Sequence, residues 1–98
     1  MKNFRTYNLA KNFYQAGQRL GFKGAIRNQF ERASLSVVLN LAEGSAKPSA
    51  KERRKFYYTA LASFRETQAI LDLTNHQEAI KQADILGAHL FRLCKATK

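Results

Sequence analysis

Apolar positions recur at three- and four-residue intervals along nearly the whole chain, the period of a helix with one buried stripe. The pattern predicts four helices. The first runs from about Phe4 to Leu20, with Thr6, Leu9, Phe13, Ala16 and Leu20 on its stripe, and Gly21-Phe22-Lys23-Gly24 breaks it. The second spans about Ala25 to Glu43, with Gly44 placed as its left-handed C-terminal cap. After the connection Ser45-Ala46-Lys47-Pro48, the run Ser49-Ala50-Lys51-Glu52 reads as a capping box that opens a third helix. That helix continues to about Leu73 with Phe56, Ala60, Ser63, Thr67 and Ile70 inward. Thr74-Asn75-His76-Gln77-Glu78 offers two overlapping caps for a fourth helix, which turns Ile80, Ala83, Leu86 or Gly87, Leu90 and Cys94 inward. Short connections between long helices predict an all-α fold, an antiparallel up-down-up-down four-helix bundle forming one domain over residues 1–98.

Two of these helices carry more apolar surface than a lone bundle needs. From Ala33 to Ala42 the second helix bears no charge on any side, and a helix apolar all round needs partners all round. The third has a second stripe, Tyr57, Leu61, Phe64 and Leu71, beside its core stripe. The surplus predicts a ring-like homo-oligomer with Leu35, Val38, Leu39, Tyr57, Leu61 and Phe64 at the subunit interface.

A polar line accompanies the apolar one. Gln29, Arg32, Ser36, Asn40 and Glu43 follow one another at spacings that keep them on one side of the second helix, while Ser63 and Glu66 sit one turn apart on the third. Facing each other, these rows place Arg32 against Glu66 or Glu43 and Asn40 against Ser63, as a buried, mutually satisfied structural network. Glu43 with Glu66 is a poor metal site, because no aspartate or histidine accompanies them.

Composition narrows the function classes. The chain is 98 residues long with 17 Lys+Arg against 7 Asp+Glu, a formal net charge of +10. Residues 1–30 hold six cations (Lys2, Arg5, Lys11, Arg19, Lys23, Arg27) and no acid; residues 47–55 hold Lys47, Lys51, Arg53, Arg54 and Lys55 against Glu52. The remainder is neutral. The single cysteine, Cys94, forms no internal disulfide, and no apolar run is long enough for a membrane span or leads the chain as a secretory signal. A cytoplasmic protein is the expectation.

The run Gln29-x-x-Arg32-Ala33-x-x-Ser36-x-x-x-Asn40-x-Ala42-Glu43-Gly44 resembles the hallmark of the 23S rRNA intervening sequence proteins, a bacterial four-helix-bundle family. Ser49-x-x-Glu52, Phe56, Ala60, Ser63 and Glu66 follow that family's pattern for the next helix. The resemblance implies a small bundle that assembles as a homopentamer, a fold and an assembly rather than an activity. The family is also similar to the accessory proteins of diversity-generating retroelements, which implies nucleic acid and a reverse transcriptase, or a ribosomal component, as candidate partners. The short first connection departs from the family's usual proline-containing loop.

Folded as an up-down bundle, the chain brings Lys2, Arg5, Lys47, Lys51, Arg53, Arg54, Lys55, Arg92 and Lys95 to one end. Arg92 and Lys95 complement the negative end of their helix, but Arg53, Arg54 and Lys55 lie in the first turns of theirs, where the dipole favours acids. Such placement suits a non-enzymatic nucleic-acid-binding accessory protein that reads charge and shape, not bases, in RNA or DNA. The alternative is a scaffold or adaptor for an acidic protein. Neither His76 nor His89 has a nearby nucleophile or metal-ligand partner, so no catalytic, cofactor or metal site is expected.

Overall fold

A computed structural model describes residues 4–98 as four helices: α1 (Phe4–Gly17), α2 (Gly24–Ser45), α3 (Ala50–Leu73) and α4 (Gln77–Ala96). Each helix packs against two others, α1 on α2 and α4, α3 on α2 and α4, so the four close into a bundle. Its longest extent is 39 Å, close to the rise of its longest helix plus a turn. The α2–α3 contact is the broadest, with Arg32, Ser36 and Ser45 meeting Glu66, Ser63 and Tyr57 in that order.

The core is built on three phenylalanines. The Phe13 ring lies 5.7 Å from Phe30 and 5.8 Å from Phe64, both tilted, which joins α1, α2 and α3 across the bundle axis. Val37, Leu41, Tyr57, Leu71, Leu86 and Leu90 complete it, all at or below 1 % exposure.

The connections follow from local chemistry. Helix α1 stops at Gly17, three residues short of the expected Leu20, and residues 18–20 tighten into turns with i→i−3 backbone bonds. Gly21 and Gly24 then take φ of +77° and +59°, which side-chain-bearing residues rarely adopt. Half of the expected α3 capping box forms: Ser49 Oγ accepts from the Glu52 amide at 3.2 Å, while the Glu52 carboxylate accepts from the Ser49 hydroxyl at 3.0 Å and not from the Ser49 amide. The overlapping caps before α4 do not form. His76 occupies the cap position without a side-chain cap bond, and its Nδ1 instead meets Thr74 Oγ1 at 2.8 Å. Its ring packs edge-on against Phe22, so the histidine ties two connections together.

Two expectations are corrected by the packing. Gly44 is not a left-handed cap: it lies inside α2 and does not have positive φ. A Cβ there would stand 2.8 Å from Phe56 Cβ and 2.9 Å from the Tyr57 ring, so the glycine permits close approach of α2 and α3. Four of the six expected interface residues, Val38, Tyr57, Leu61 and Phe64, are buried within the chain's own core. A bundle helix with two neighbours buries a wide arc. On α3, Tyr57 meets α2 at Gly44, while Phe64 meets α4 at Gly87 and Leu61 lies beside it. Only Leu35 and Leu39 stay on the surface, 38 % and 56 % exposed.

Candidate nucleic-acid interface

One end of the bundle collects cations from α1, α3, α4 and the α2–α3 connection. The α2–α3 turn lies there, and the Arg53 guanidinium closes it by donating from Nη1 to the carbonyls of Lys47 (3.1 Å) and Pro48 (3.0 Å). The end of α4 lies beside the start of α3: Ala50, Arg53, Tyr57, Leu93, Ala96, Thr97 and Lys98 line one groove. The start of α1 arrives at the same place, since Arg5 and Arg92 both act on His89. Partial burial, then these two cations, hold the His89 imidazole below its ordinary value of 6.5. Arg5, Lys51, Lys55, Arg92 and Lys95 are exposed here and Arg54 is half-buried. Lys2 lies outside the described residues.

Two of the expected phosphate contacts have other work. Lys47 pairs with Glu43 at 3.3 Å, and its Nζ stands 5.2 Å over the Phe56 ring. Arg53 is the brace of the turn, which accounts for a cation in a helix's first turns without reference to a ligand. Lys51, Arg54 and Lys55 have no such structural duty in the hydrogen bonds or ion pairs of the described residues.

The polar seam is present at the α2–α3 boundary. Arg32 Nη2 donates to Glu66 Oε2, and Gln29 Oε1 accepts from the same guanidinium at 3.0 Å. Asn40 Nδ2 donates to the Ser36 carbonyl (2.9 Å) and hydroxyl (3.0 Å), and Ser36 meets Ser63 at 2.8 Å. Asn40 thus reaches Ser63 through Ser36 and not directly. The seam is also not buried: the Arg32 and Glu66 side chains are 58 % and 43 % exposed. Glu43 and Glu66 are each paired with a cation, and among the described residues no three of His, Cys, Asp and Glu converge on a metal-sized site.

This seam carries the residues of the hallmark run, and the model of the 23S rRNA-intervening sequence proteins matches residues 4–95. The chain belongs to that family. Comparison with curated proteins and with solved structures returned no match. In this intervening sequence protein the hallmark therefore has a physical reading: Gln29, Arg32, Ser36, Asn40 and Ser63 with Glu66 register α2 on α3, and Gly44 lets them close. Among the described residues, no helix is long and apolar enough to cross a membrane.

Residue patterns in single helices offered Tyr57 and Tyr58 as stacking partners for bases but favoured core or interface roles for both, and did not single out Arg65 or Phe91. Tyr58 and Phe91 are 43 % and 47 % exposed, and Arg65 shares a groove between α3 and α4 with Phe91. The signal was available as the row Lys51, Arg54, Tyr58, Leu61, Arg65 and Gln68, spaced three and four residues apart.

Proposed function

We propose that this intervening sequence protein is a non-enzymatic, basic accessory protein that binds nucleic acid through charge and shape. Its fold is read as an antiparallel up-down-up-down bundle, assembled as a ring-like homopentamer in the cytoplasm, with the α2 row Leu35, Leu39 and Ala42 against the next subunit. The observation that carries the binding reading is the cationic end. Arg5, Lys51, Arg54, Lys55, Arg92, Lys95 and Lys98 gather there, while the nearby carboxylates Glu43 and Glu52 are held by Lys47 and Ser49. Such a surface neutralises phosphates and releases their counterions. No base-reading module accompanies it, which supports sequence-tolerant binding.

Filter binding of RNA and DNA across a salt series tests this. With six or more phosphate contacts, affinity falls by roughly 10³–10⁵ between about 50 and 200 mM salt. Changing Lys51, Arg54 and Lys55 together to glutamine removes most of the affinity and flattens the slope; Arg53 is left in place because it braces the turn. Absence of any retained RNA or DNA at low salt overturns the reading and leaves the adaptor for an acidic protein as its replacement.

A further inference from the structure

Outside the cationic end, the α3–α4 flank combines features that charge alone does not explain. Leu61, Phe64, Arg65 and Gln68 of α3 face Asp84, Gly87, Ala88 and Phe91 of α4 across a shallow groove. The groove is shallow because the helices touch there: a Cβ on Gly87 would stand 2.8 Å from the Phe64 ring. Helical spacing extends both sides toward the cationic end, with Lys51, Arg54 and Tyr58 preceding Leu61 and with Lys95 following Phe91.

Tyr58 and Phe91 are among the few large apolar side chains left exposed, and both fall on this flank. Arg65 shares the groove with Phe91, and on α3 Arg54 lies one turn before Tyr58. The Lys95 ammonium stands 5.4 Å over the Phe91 ring, and Arg65 and Lys95 both act on Cys94 just beneath. Lys51, Arg54, Arg65 and Lys95 enter no ion pair among the described residues, and Asp84 is the single acid in the two rows.

We infer that the α3–α4 flank is a stacking platform for single-stranded nucleic acid: bases lie on Tyr58 and Phe91 while Lys51, Arg54, Arg65 and Lys95 track the phosphates. Exposed aromatic faces between unpaired cations bind unstacked bases, which a duplex does not offer. The charge complementarity selects a polyanion over an apolar partner for this face. The inference rests on the nucleic-acid reading above and adds the strandedness and the place.

The test is fluorescence anisotropy with a labelled single-stranded oligoadenylate and an RNA duplex of the same length, on the full chain at fixed salt. Tyr58→Ala and Phe91→Ala each weaken oligoadenylate binding by roughly 5- to 150-fold, with the salt slope unchanged and duplex binding within about twofold of wild type. The chain has no tryptophan, so Phe91→Trp provides a single reporter that keeps the aromatic face. Its affinity is retained and its emission is quenched when the oligoadenylate binds. Wild-type affinity in both alanine variants, alongside weakened binding after neutralising Lys51, Arg54 and Arg65, overturns the platform and leaves the charge reading standing. An unquenched Phe91→Trp in a bound complex overturns it equally. Alanine variants that sediment as smaller species with unaltered oligoadenylate affinity assign the face to a second copy, against the inference. Failure of the wild-type protein to bind either probe at low salt removes the nucleic-acid reading itself.

Discussion

Gly44 separates two accounts of why a glycine ends the hallmark run. As a left-handed cap it would tolerate asparagine nearly as well as glycine, and alanine would cost about 1 kcal/mol. As a close-approach site it admits neither. In the structure an added Cβ stands 2.8 Å from Phe56 Cβ and 2.9 and 3.1 Å from two atoms of the Tyr57 ring. Ordinary contact begins near 3.5 Å, so either the ring and α3 withdraw by several tenths of an ångström or the helices part. Phe56 Cβ is fixed to its backbone, and Tyr57 is 1 % exposed with its hydroxyl meeting Ser45 at 3.2 Å, so neither yields freely.

Such overpacking costs roughly 1–3 kcal/mol. Alanine regains about 1 kcal/mol through its higher helix propensity, leaving a net loss of about 0–2 kcal/mol. Asparagine intrudes further and regains less, so its net loss is larger, on the order of 2 kcal/mol or more. In a domain of this length, 1 kcal/mol moves Tm by about 4–8 °C. Urea and thermal unfolding of wild type, Gly44→Ala and Gly44→Asn give the order directly. The packing account requires asparagine to be the less stable variant. Asparagine more stable than alanine refutes it and reinstates the cap.

Three further outcomes follow from the geometry. Arg32→Ala lowers stability by no more than about 1 kcal/mol, because both members of its pair with Glu66 are about half exposed; a loss of about 3–5 kcal/mol in urea unfolding would mark a buried pair instead. His89 has a folded pKa below its ordinary 6.5 from partial burial and from Arg92 and Arg5. The unfolded chain therefore takes up that proton first, and stability falls as pH drops through about 6.5. His89→Gln should show a shallower decline in urea midpoint between about pH 7.5 and 5.5; identical declines would show that His89 is not the group responsible. Cys94 is 2 % exposed, and its burial raises the thiol pKa despite Arg65 and Lys95. Its labelling by a disulfide reagent should track global unfolding and quicken in Gly44→Ala, whereas immediate labelling in native buffer would contradict the burial.

Local patterns carried much of the molecule. Four helices, the Ser49 cap of α3, the inward positions Ala83, Leu86, Leu90 and Cys94, and the pairing of Arg32 with either Glu66 or Glu43 were all legible, because helical period and end chemistry act over a few residues; packing chose Glu66. Gathering the cations needed only the order of the helices as well.

What only the tertiary structure decided depends on how many neighbours each helix has and how near they come. Tyr57, Leu61 and Phe64 looked like surplus surface until α2 and α4 flanked α3 and both of its stripes became core. The Arg32 seam looked buried until it fell on the solvent edge of the α2–α3 boundary, and Gly44 looked like a terminus until Phe56 and Tyr57 came against it. Arg53 looked like a free cation until the turn presented two carbonyls to it. A single helix's pattern encodes the direction of its buried side; the width of that side, and the distance to what lies opposite, are set by packing between helices.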